Sequence, residues 1–231
     1  ECTSLTKITI PSNINSIRDY AFNKCYSLSE ITIIPSGKSS LINIQSKKDE
    51  NEYKQMQNCI GNFALSECSL LKQIIIPSPI KHIGHHTFNQ LSSLEQLIIP
   101  SSVISIGYYA FSECSLITQV TVPSSVIHIG CYAFNKCSSL KQIIFEIPSS
   151  VPSIEDCTFN ECTSLTQIII PSSVRYIEKT AFNGFTSLLQ IGIPYFNSRV
   201  CPIEDTFVIE NNTSLISKNN KYTKKNVILV I

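Results

Sequence analysis

The ten cysteines of this 231-residue chain could take part in the widest range of chemistry, since a thiol can pair as a disulfide, bind zinc or act as a nucleophile. Cys recurs at one position of a sequence unit that is repeated along the chain, and Leu91 and Phe185 replace it there in two copies. We therefore expect this position to be a buried apolar slot in which free Cys packs as a small hydrophobic residue. The remaining cysteines share no position and form no Cys-x-x-Cys pair, which predicts neither a disulfide framework nor a zinc site. The slot holds Cys25, Cys68, Cys114, Cys137 and Cys162, and Cys2 fits it by spacing.

Three histidines, His82, His85 and His86, form a cluster that raises the question of a metal site. His82 shares its repeat position with His128 two copies later, a separation of about 10 Å if adjacent copies stack at strand spacing. One ion cannot bridge that distance, and no column rich in carboxylates supports the histidines. The sequence therefore predicts no metal site.

The low charge of the chain and its lack of catalytic motifs exclude several classes of function. The formal net charge is +1 and only 15% of residues are charged, so the chain has no field to attract nucleic acid or an anionic membrane. No apolar run reaches the roughly 18 residues of a transmembrane helix. The acidic pairs at 155–156 and 204–205 fall in a bend, where we expect solvated side chains. Phosphate-loop, dinucleotide, metalloprotease and serine-hydrolase motifs are absent, so we predict no catalytic residue, no cofactor and no enzymatic activity.

A unit of about 23 residues, clearest at 99–114, 122–137 and 170–182, positions all of these side chains. One copy cannot bury enough apolar surface to offset the ordering of its backbone, so neighbouring copies must share their hydrophobic faces. A repeat of 20 to 29 residues is typical of the leucine-rich class. We predict one solenoid domain over residues 1–231, with about eight repeats. The Pro that closes each copy stands at 11, 35, 77, 100, 123, 148, 171 and 194.

Each copy contains two kinds of local pattern. Leu5, Ile8, Ile10 and Pro11 show the first, in which alternating Ile residues predict a short strand that Pro ends. The second half, V-x-x-I-G-x-x-A-F-x-x-C, suits an extended bend followed by one helical turn that is too short for a full helix. The predicted fold class is therefore α/β: a leucine-rich repeat solenoid with a parallel β-sheet on the concave face and short helical or 3₁₀ turns and bends on the convex face.

Two regions depart from the repeat. An insertion at about 37–58 is polar and lacks core positions, so we expect a projecting loop that serves either as a specificity element or as a tolerated insertion. After Pro194 the pattern degenerates, and we expect an irregular C-terminal cap over about 195–231.

The strands supply the candidate binding residues when the copies are aligned. The position before the first inward Ile is a run of Gln, and the position between the two inward Ile is Ile in four of the eight copies, so both should point outward on the concave sheet. An uncovered apolar stripe on such a sheet marks an interaction site, although β-branched residues also simply suit strands and stacked amides can satisfy one another. The candidate ligand-binding residues are Gln73, Gln96, Gln119, Gln142 and Gln167 with Ile75, Ile98, Ile144 and Ile169.

An aromatic column is predicted on the opposite, convex side, two residues before the Phe position. We favour packing between successive rings over a platform for carbohydrate as its role. Its members are Tyr20, Phe63, His86, Tyr109 and Tyr132.

The order L-x-x-I-x-I-P-x-x-V-x-x-I-G-x-x-A-F-x-x-C over nearly all of residues 1–194 resembles the BspA-like leucine-rich repeat family of treponemal type. The resemblance implies a parallel-sheet solenoid on a microbial or protist surface, with adhesion, host-protein binding and antigenicity as its context. It implies a protein ligand without identifying it, and it implies no catalytic residue. An intracellular scaffold or adaptor, the recognition domain of a larger enzyme, and self-association through the Ile stripe remain alternatives. Because residue 1 falls within a repeat, we expect a longer natural protein.

Overall fold

Two series of parallel strands wind the chain into a solenoid. The structure is a computed structural model that describes residues 2–34 and 58–184, together with strands at 189–193, 205–210, 214–217 and 228–229. Numbered in chain order, the longer strands are β1 (Lys7–Pro11), β3 (Glu30–Ile34), β5 (Gln73–Ile75), β7 (Gln96–Ile98), β9 (Gln119–Val122), β11 (Gln142–Phe145), β13 (Gln167–Ile169) and β15 (Leu189–Ile193). The shorter strands are β2 (Ser16–Ile17), β4 (Cys59–Ile60), β6 (His82–Ile83), β8 (Ser105–Ile106), β10 (His128–Ile129), β12 (Ser153–Ile154) and β14 (Tyr176–Ile177).

Equivalent positions of successive coils lie beside one another. Gln73 pairs with Gln96 and Ile75 with Ile98, and the same register joins β9 to β11. The shorter strands β2, β4, β6, β8 and β10 form one continuous parallel sheet. The parallel solenoid is therefore confirmed, but among the described residues hydrogen bonds join the parallel long strands only within the pairs β1–β3, β5–β7, β9–β11 and β13–β15.

The insertion does not disturb the stacking of the coils on either side of it. Ser16 pairs with Cys59 and Ile17 with Ile60, so β4 continues the sheet begun by β2. The predicted loop at about 37–58 lies outside the described residues except for Asn58.

The interior is filled by the apolar columns that the repeat predicts. The inward residues of the coils after the insertion are almost completely buried, for example Leu94, Val103 and Ile106, each with no exposed surface. Those of the first coils, such as Ile8 and Ile31, are partly buried. A row of Phe rings stacks through the centre, with ring centroids 5.3 to 5.8 Å apart. The rings belong to Phe88, Phe111, Phe134, Phe159 and Phe182.

The segment that follows each short strand is not helical, so the prediction of helical or 3₁₀ turns, and with it the α/β class, was wrong. In the described residues it is a series of tight turns and no helix is present. In six of the seven described turns two residues have positive φ, as Tyr109 (55°) and Glu113 (63°) do, and in the last turn only Gly184 does. These residues reverse the direction of the backbone groups, which prevents the uniform i to i−4 bonding of a helix.

The turns instead bond alternately within a coil and between coils. Ala110 N–H donates to the Gly107 carbonyl of its own turn, whereas Phe111 N–H donates to the Ala133 carbonyl of the next coil at 2.8 Å. Tyr109 and Glu113 likewise donate forward, to the carbonyls of Cys131 and Asn135. The same three forward bonds recur from coil to coil and form three rails of hydrogen bonds, beginning at Tyr20, Phe22 and Lys24.

The C-terminal strands change direction. β15 continues the long-strand series in parallel with β13, but β16 (Asp205–Glu210) pairs antiparallel with β15, and β17 (Ser214–Ser217) antiparallel with β16. β18 (Ile228–Leu229) returns to pair in parallel with β14. The parallel series thus ends in two antiparallel strands within the region where a cap at about 195–231 is predicted.

Candidate functional site

The long strands hold the candidate binding residues on one exposed face. All five glutamines are exposed, and Ile75, Ile98 and Ile169 keep 45%, 60% and 44% of their surface in contact with solvent. Ile144 is half-buried and pairs with Thr121, which interrupts the Ile column. We call this surface the Gln–Ile patch. It comprises Gln73, Gln96, Gln119, Gln142 and Gln167 with Ile75, Ile98, Thr121, Ile144 and Ile169.

The outward direction of these side chains follows from strand geometry. Successive residues of a strand point to opposite faces, so the residues on either side of a buried Ile or Leu must face solvent. β7 shows this clearly, because Leu97 is buried while Gln96 and Ile98 are exposed. A strand of three residues therefore presents one amide and one aliphatic group per coil.

The amides of the Gln–Ile patch are available to a ligand. Within residues 58–184 none of the five side chains makes a hydrogen bond to another described residue, so they do not satisfy one another. Each amide offers two N–H donors and one carbonyl acceptor. The patch is thus a line of unused donors and acceptors beside an aliphatic stripe.

Charge divides the long-strand face into two parts. At its N-terminal end Lys7 and Glu30 occupy the Gln position and form an ion pair with 2.6 Å between Nζ and Oε2. The hydrogen bond from Lys7, and a second one from Thr32, lower the pKa of the exposed Glu30 carboxyl. From β5 to β13 the Gln and Ile columns contain no charged residue. These two columns are therefore neutral, but exposed Lys72, Glu95 and Lys141 stand one residue before the Gln column and give its border mixed charge.

The cysteine slot is buried, as predicted, except at Cys2, which is exposed, and its buried thiols have a further role. Each of Cys25, Cys68, Cys114, Cys137 and Cys162 is at most 1% exposed, and all are free thiols. Cys114 Sγ donates to the Phe88 carbonyl of the preceding coil at 3.2 Å, and three others make the equivalent bond. Burial raises the pKa of the Cys68, Cys114 and Cys162 thiols to about 12. These thiols stay protonated and are poor nucleophiles near neutral pH.

The histidines take part in packing and backbone bonding. His82 Nδ1 lies 2.8 Å from Ser105 Oγ, and His85 Nδ1 accepts the N–H of Tyr108 at 3.0 Å. No group of three potential metal ligands occurs in the described part of the chain. Nor does that part contain a helix long and apolar enough to cross a membrane.

A ladder of side-chain acceptors on the turn side was not predicted. Asp19 accepts the N–H of Asn62 at 2.7 Å, Asn62 accepts that of His85, and His85 accepts that of Tyr108. Each side chain thus bonds the backbone of the next coil. The available signal was the shared repeat position of Asp19, Asn62 and His85, whose side chains all carry an acceptor close to the backbone.

The aromatic column stacks ring on ring, which confirms the predicted packing. Neighbouring centroids from Tyr20 to Tyr132 are 4.5 to 5.0 Å apart, with interplanar angles of 4° to 7°. His86 lies between Phe63 and Tyr109, and its partial burial lowers its pKa. Because each inner ring covers the faces of its neighbours, those faces are closed to a stacked sugar.

Comparison with known proteins places this geometry among repeat proteins. The family described as BspA type leucine rich repeat region, in six copies, matches residues 1–56, 58–146 and 144–226. No curated protein matches the chain.

Solved structures share the fold. A leucine-rich repeat protein from Bacteroides ovatus is 29% identical with a TM-score of 0.62, and the match covers 77% of this chain and 43% of that protein. One from T. pallidum is 27% identical with a TM-score of 0.60, over 74% of this chain and 73% of that one. The pneumococcal vaccine antigen PcpA has a TM-score of 0.52 at 21% identity, covering 74% and 46% respectively, and shows the fold alone. The chain thus spans less than half the length of the Bacteroides protein.

Proposed function

Because the chain belongs to the BspA-type leucine-rich repeat family, we propose that it is a non-enzymatic binding module that recognises a host or self protein through the Gln–Ile patch. Placement at a microbial or protist cell surface, in adhesion, belongs to the same proposal. It is supported by the family resemblance. The observation that carries the proposal is the row of amides without a partner among residues 58–184, beside exposed isoleucines on the stack of coils.

The energy available from the Gln–Ile patch suits reversible binding. Full burial of an Ile stabilises by about 1.5–3 kcal/mol, so covering the exposed parts of Ile75, Ile98 and Ile169 contributes about 2–4 kcal/mol together. Five amide hydrogen bonds at about 0.5–1.5 kcal/mol each add about 2–7 kcal/mol. Association costs at least about 4 kcal/mol. The net is modest affinity, which several modules on one surface would raise through avidity.

The absence of a catalytic role is supported by the state of the most reactive side chains. The column thiols are buried and protonated, and they donate to backbone carbonyls. His82 and His85 bond Ser105 and the backbone of Tyr108. These groups stabilise the stack of coils, and none of them belongs to the Gln–Ile patch.

The test compares capture of a protein partner by the native chain and by a variant with Ile75, Ile98, Ile144 and Ile169 changed to Thr. Thr already occupies this column at Thr9, Thr32 and Thr121, so we expect the variant to fold, with circular dichroism as the check. A matched control changes Leu70, Leu116 and Ile127 to Thr, which removes exposed apolar groups of 45–52% exposure outside the patch.

We expect a partner that is captured from lysate by the native chain and by the control, and lost with the patch variant. Direct binding of the purified partner to all three proteins then gives the affinities. Equal binding by the native chain and the patch variant would show that the ligand does not contact this face.

An intracellular scaffold is the second candidate, and the free cysteines favour it. Cys131 and Cys157 are partly exposed and form no disulfide with another cysteine of the described residues. A protein from a reducing compartment keeps such thiols free, whereas an oxidising one favours their modification. Titration of thiols in material from the native source distinguishes the two candidates, because blocked Cys131 and Cys157 would oppose an intracellular site.

A further inference from the structure

The second positive-φ residue of each turn forms a column along the solenoid. In six coils its φ lies between 56° and 64°, and its N–H donates to a carbonyl of the next coil at 2.8 to 2.9 Å. The long strands are bonded only in pairs, whereas here every coil is bonded to the next, so the spacing along this column is uniform. We call it the charged turn column. It comprises Lys24, Glu67, Gln90, Glu113, Lys136 and Glu161.

The order of charges in the charged turn column is complementary to its own reverse. Along the chain it reads positive, negative, neutral, negative, positive, negative. A second copy lying antiparallel, with a twofold axis between the third and fourth coils, would place opposite charges together at both ends. Glu67 of each copy would face Lys136 of the other, and Lys24 would face Glu161. At the centre the Gln90 amide can donate to the Glu113 carboxylate, so no like charges meet.

Other arrangements of two copies bring like charges together. Parallel copies in register would place each charge opposite the same charge. An antiparallel pair shifted by one coil in one direction would oppose Lys24 to Lys136 and Glu67 to Glu113. A shift in the other direction would oppose Glu67 to Glu161 and Glu113 to its own copy. Because like charges across an interface oppose association, the order of the column selects one arrangement.

A second column, three residues further along the chain, fits the same twofold axis. Leu70 and Leu116 keep 50% and 45% of their surface exposed, and they alternate with the smaller Ser93 and Ser139. The axis between the third and fourth coils would place Leu116 opposite Ser93 and Leu70 opposite Ser139. A large aliphatic side chain then lies against a small one at each of the four positions. Two copies would interlock, and each leucine would lose contact with water.

Contacts within one chain leave the central charges accessible. Lys136 Nζ lies 4.0 Å from Glu113 Oε1, with 48% and 41% of the two side chains exposed. Tyr26 O–H donates to one carboxylate oxygen of Glu67 at 3.2 Å. Exposed contacts of this kind contribute little to stability, so they compete weakly with an opposite charge from a second copy.

The dimensions of this strip indicate a weak contact. Six coils span five steps, or about 24 Å at about 4.8 Å per step. The charged turn column and the leucine–serine column stand three residues apart, which is at most about 10 Å of chain. A stable interface buries roughly 800 Å² on each side, which is more than a strip of this size provides. Association through it is therefore reversible.

We infer that a second copy of this chain docks antiparallel on the charged turn column and its leucine–serine neighbours, forming a weak twofold dimer. This inference goes beyond the proposed function, because the strip contains no residue of the Gln–Ile patch. A dimer of this kind carries two such patches.

The test uses analytical ultracentrifugation of two charge-reversal variants, Lys136→Glu and Glu67→Lys, each alone and then mixed. Either variant alone would bring like charges together twice in the dimer, so we expect self-association at least about 10-fold weaker than that of the native chain. In the mixture, position 67 of each chain meets the opposite charge at position 136 of the other. We expect the mixed dimer to be at least about 10-fold tighter than either variant alone. Local damage to the fold would not be repaired by mixing.

The matched control is Lys141→Glu, which reverses an exposed lysine beside the long strands and should leave dimerisation unchanged. The native dimer should weaken between about 50 mM and about 500 mM salt, since exposed charges are screened. Absence of a native dimer at about 1 mM protein, or a mixture no tighter than the single variants, would overturn the inference.

The two proposals fail in different ways. If the change of the four patch isoleucines to Thr abolishes dimerisation and Lys136→Glu does not, the copies meet at the Gln–Ile patch. The turn-side inference is then wrong, and the proposed function stands with a self protein as its ligand. If Lys136→Glu alone weakens the dimer, the inference stands whatever the patch binds.

Discussion

Removing one ring from the central Phe column tests whether the column holds the coils together. Phe111 is completely buried, and its ring centroid lies 5.3 Å from that of Phe88 and 5.4 Å from that of Phe134. Truncation of a buried Phe to Ala costs about 3–5 kcal/mol through lost transfer energy and the cavity left behind. The two stacked pairs account for about 0.5–1.5 kcal/mol each beyond area burial. We therefore expect Phe111→Ala to lower the free energy of unfolding by about 4 kcal/mol.

The assay is urea unfolding followed by circular dichroism. Since each coil contacts only its neighbours, the variant should also broaden or split the transition, as the interfaces on both sides of Phe111 weaken. Phe111→Leu is the matched control, because buried Leu65 occupies the same column in another coil. It should cost about 1–2 kcal/mol, since it keeps most of the volume and loses the ring contacts. A loss below about 1 kcal/mol for Phe111→Ala would refute the packing argument.

Three further predictions concern titrating groups. Column thiols such as Cys114 should react with a disulfide reagent only after unfolding, and reaction of all free thiols in the native protein would contradict their burial. The pKa of His86 is lower in the folded chain than in the unfolded chain, so the unfolded chain takes up the proton first as the pH falls. The free energy of unfolding that depends on His86 is therefore fully present above about pH 6.5 and decreases as the pH drops below that value. His86→Phe, which copies Phe63 of the same column, should remove this part of the slope in unfolding measured from pH 7.5 to 5, and an identical slope would exclude His86 as its source. Lys7→Met should raise the pKa of Glu30 in an NMR titration, because the Lys7 hydrogen bond is the main cause of its lowering, and an unmoved pKa would assign the lowering to Thr32.

The strand side of the fold is predictable from sequence because its pattern is local. Ile8 and Ile10 alternate with polar residues, and Pro11 ends the run, so strand, face and register follow from one copy and its repetition. The turn side is not predictable in this way. Tyr20 and Lys24 have positive φ without being Gly, and what holds them there are bonds to Asn62 and Ser66, which are 42 residues away in the chain. Such non-local bonds override the local preference for a helical turn.

The sequence predicts where the candidate binding residues lie, but not whether their side chains bond one another. The column of Gln96 and Ile98 follows from the period of two residues in the strand. Whether neighbouring amides bond one another depends on the rotamers of long side chains, which sequence does not determine. The thiol bonds to the Phe carbonyls were missed for a similar reason, because Leu91 in the same slot suggested a purely apolar role for Cys114.

The three rails of hydrogen bonds on the turn side give the solenoid an electrostatic polarity. In each rail the peptide whose carbonyl accepts from one coil donates its N–H to the next, as the Ala133–Phe134 peptide does between Phe111 and Thr158. Peptide dipoles aligned in this way add along the axis as they do in an α-helix, whereas those of the strands largely cancel. The N–H groups point toward the C-terminal coils, so the partial positive charge lies at the C-terminal end and the negative at the N-terminal end, the reverse of a helix. The three rails thus contribute partial charges of opposite sign at the two ends of the described coils, in a chain whose formal net charge is only +1.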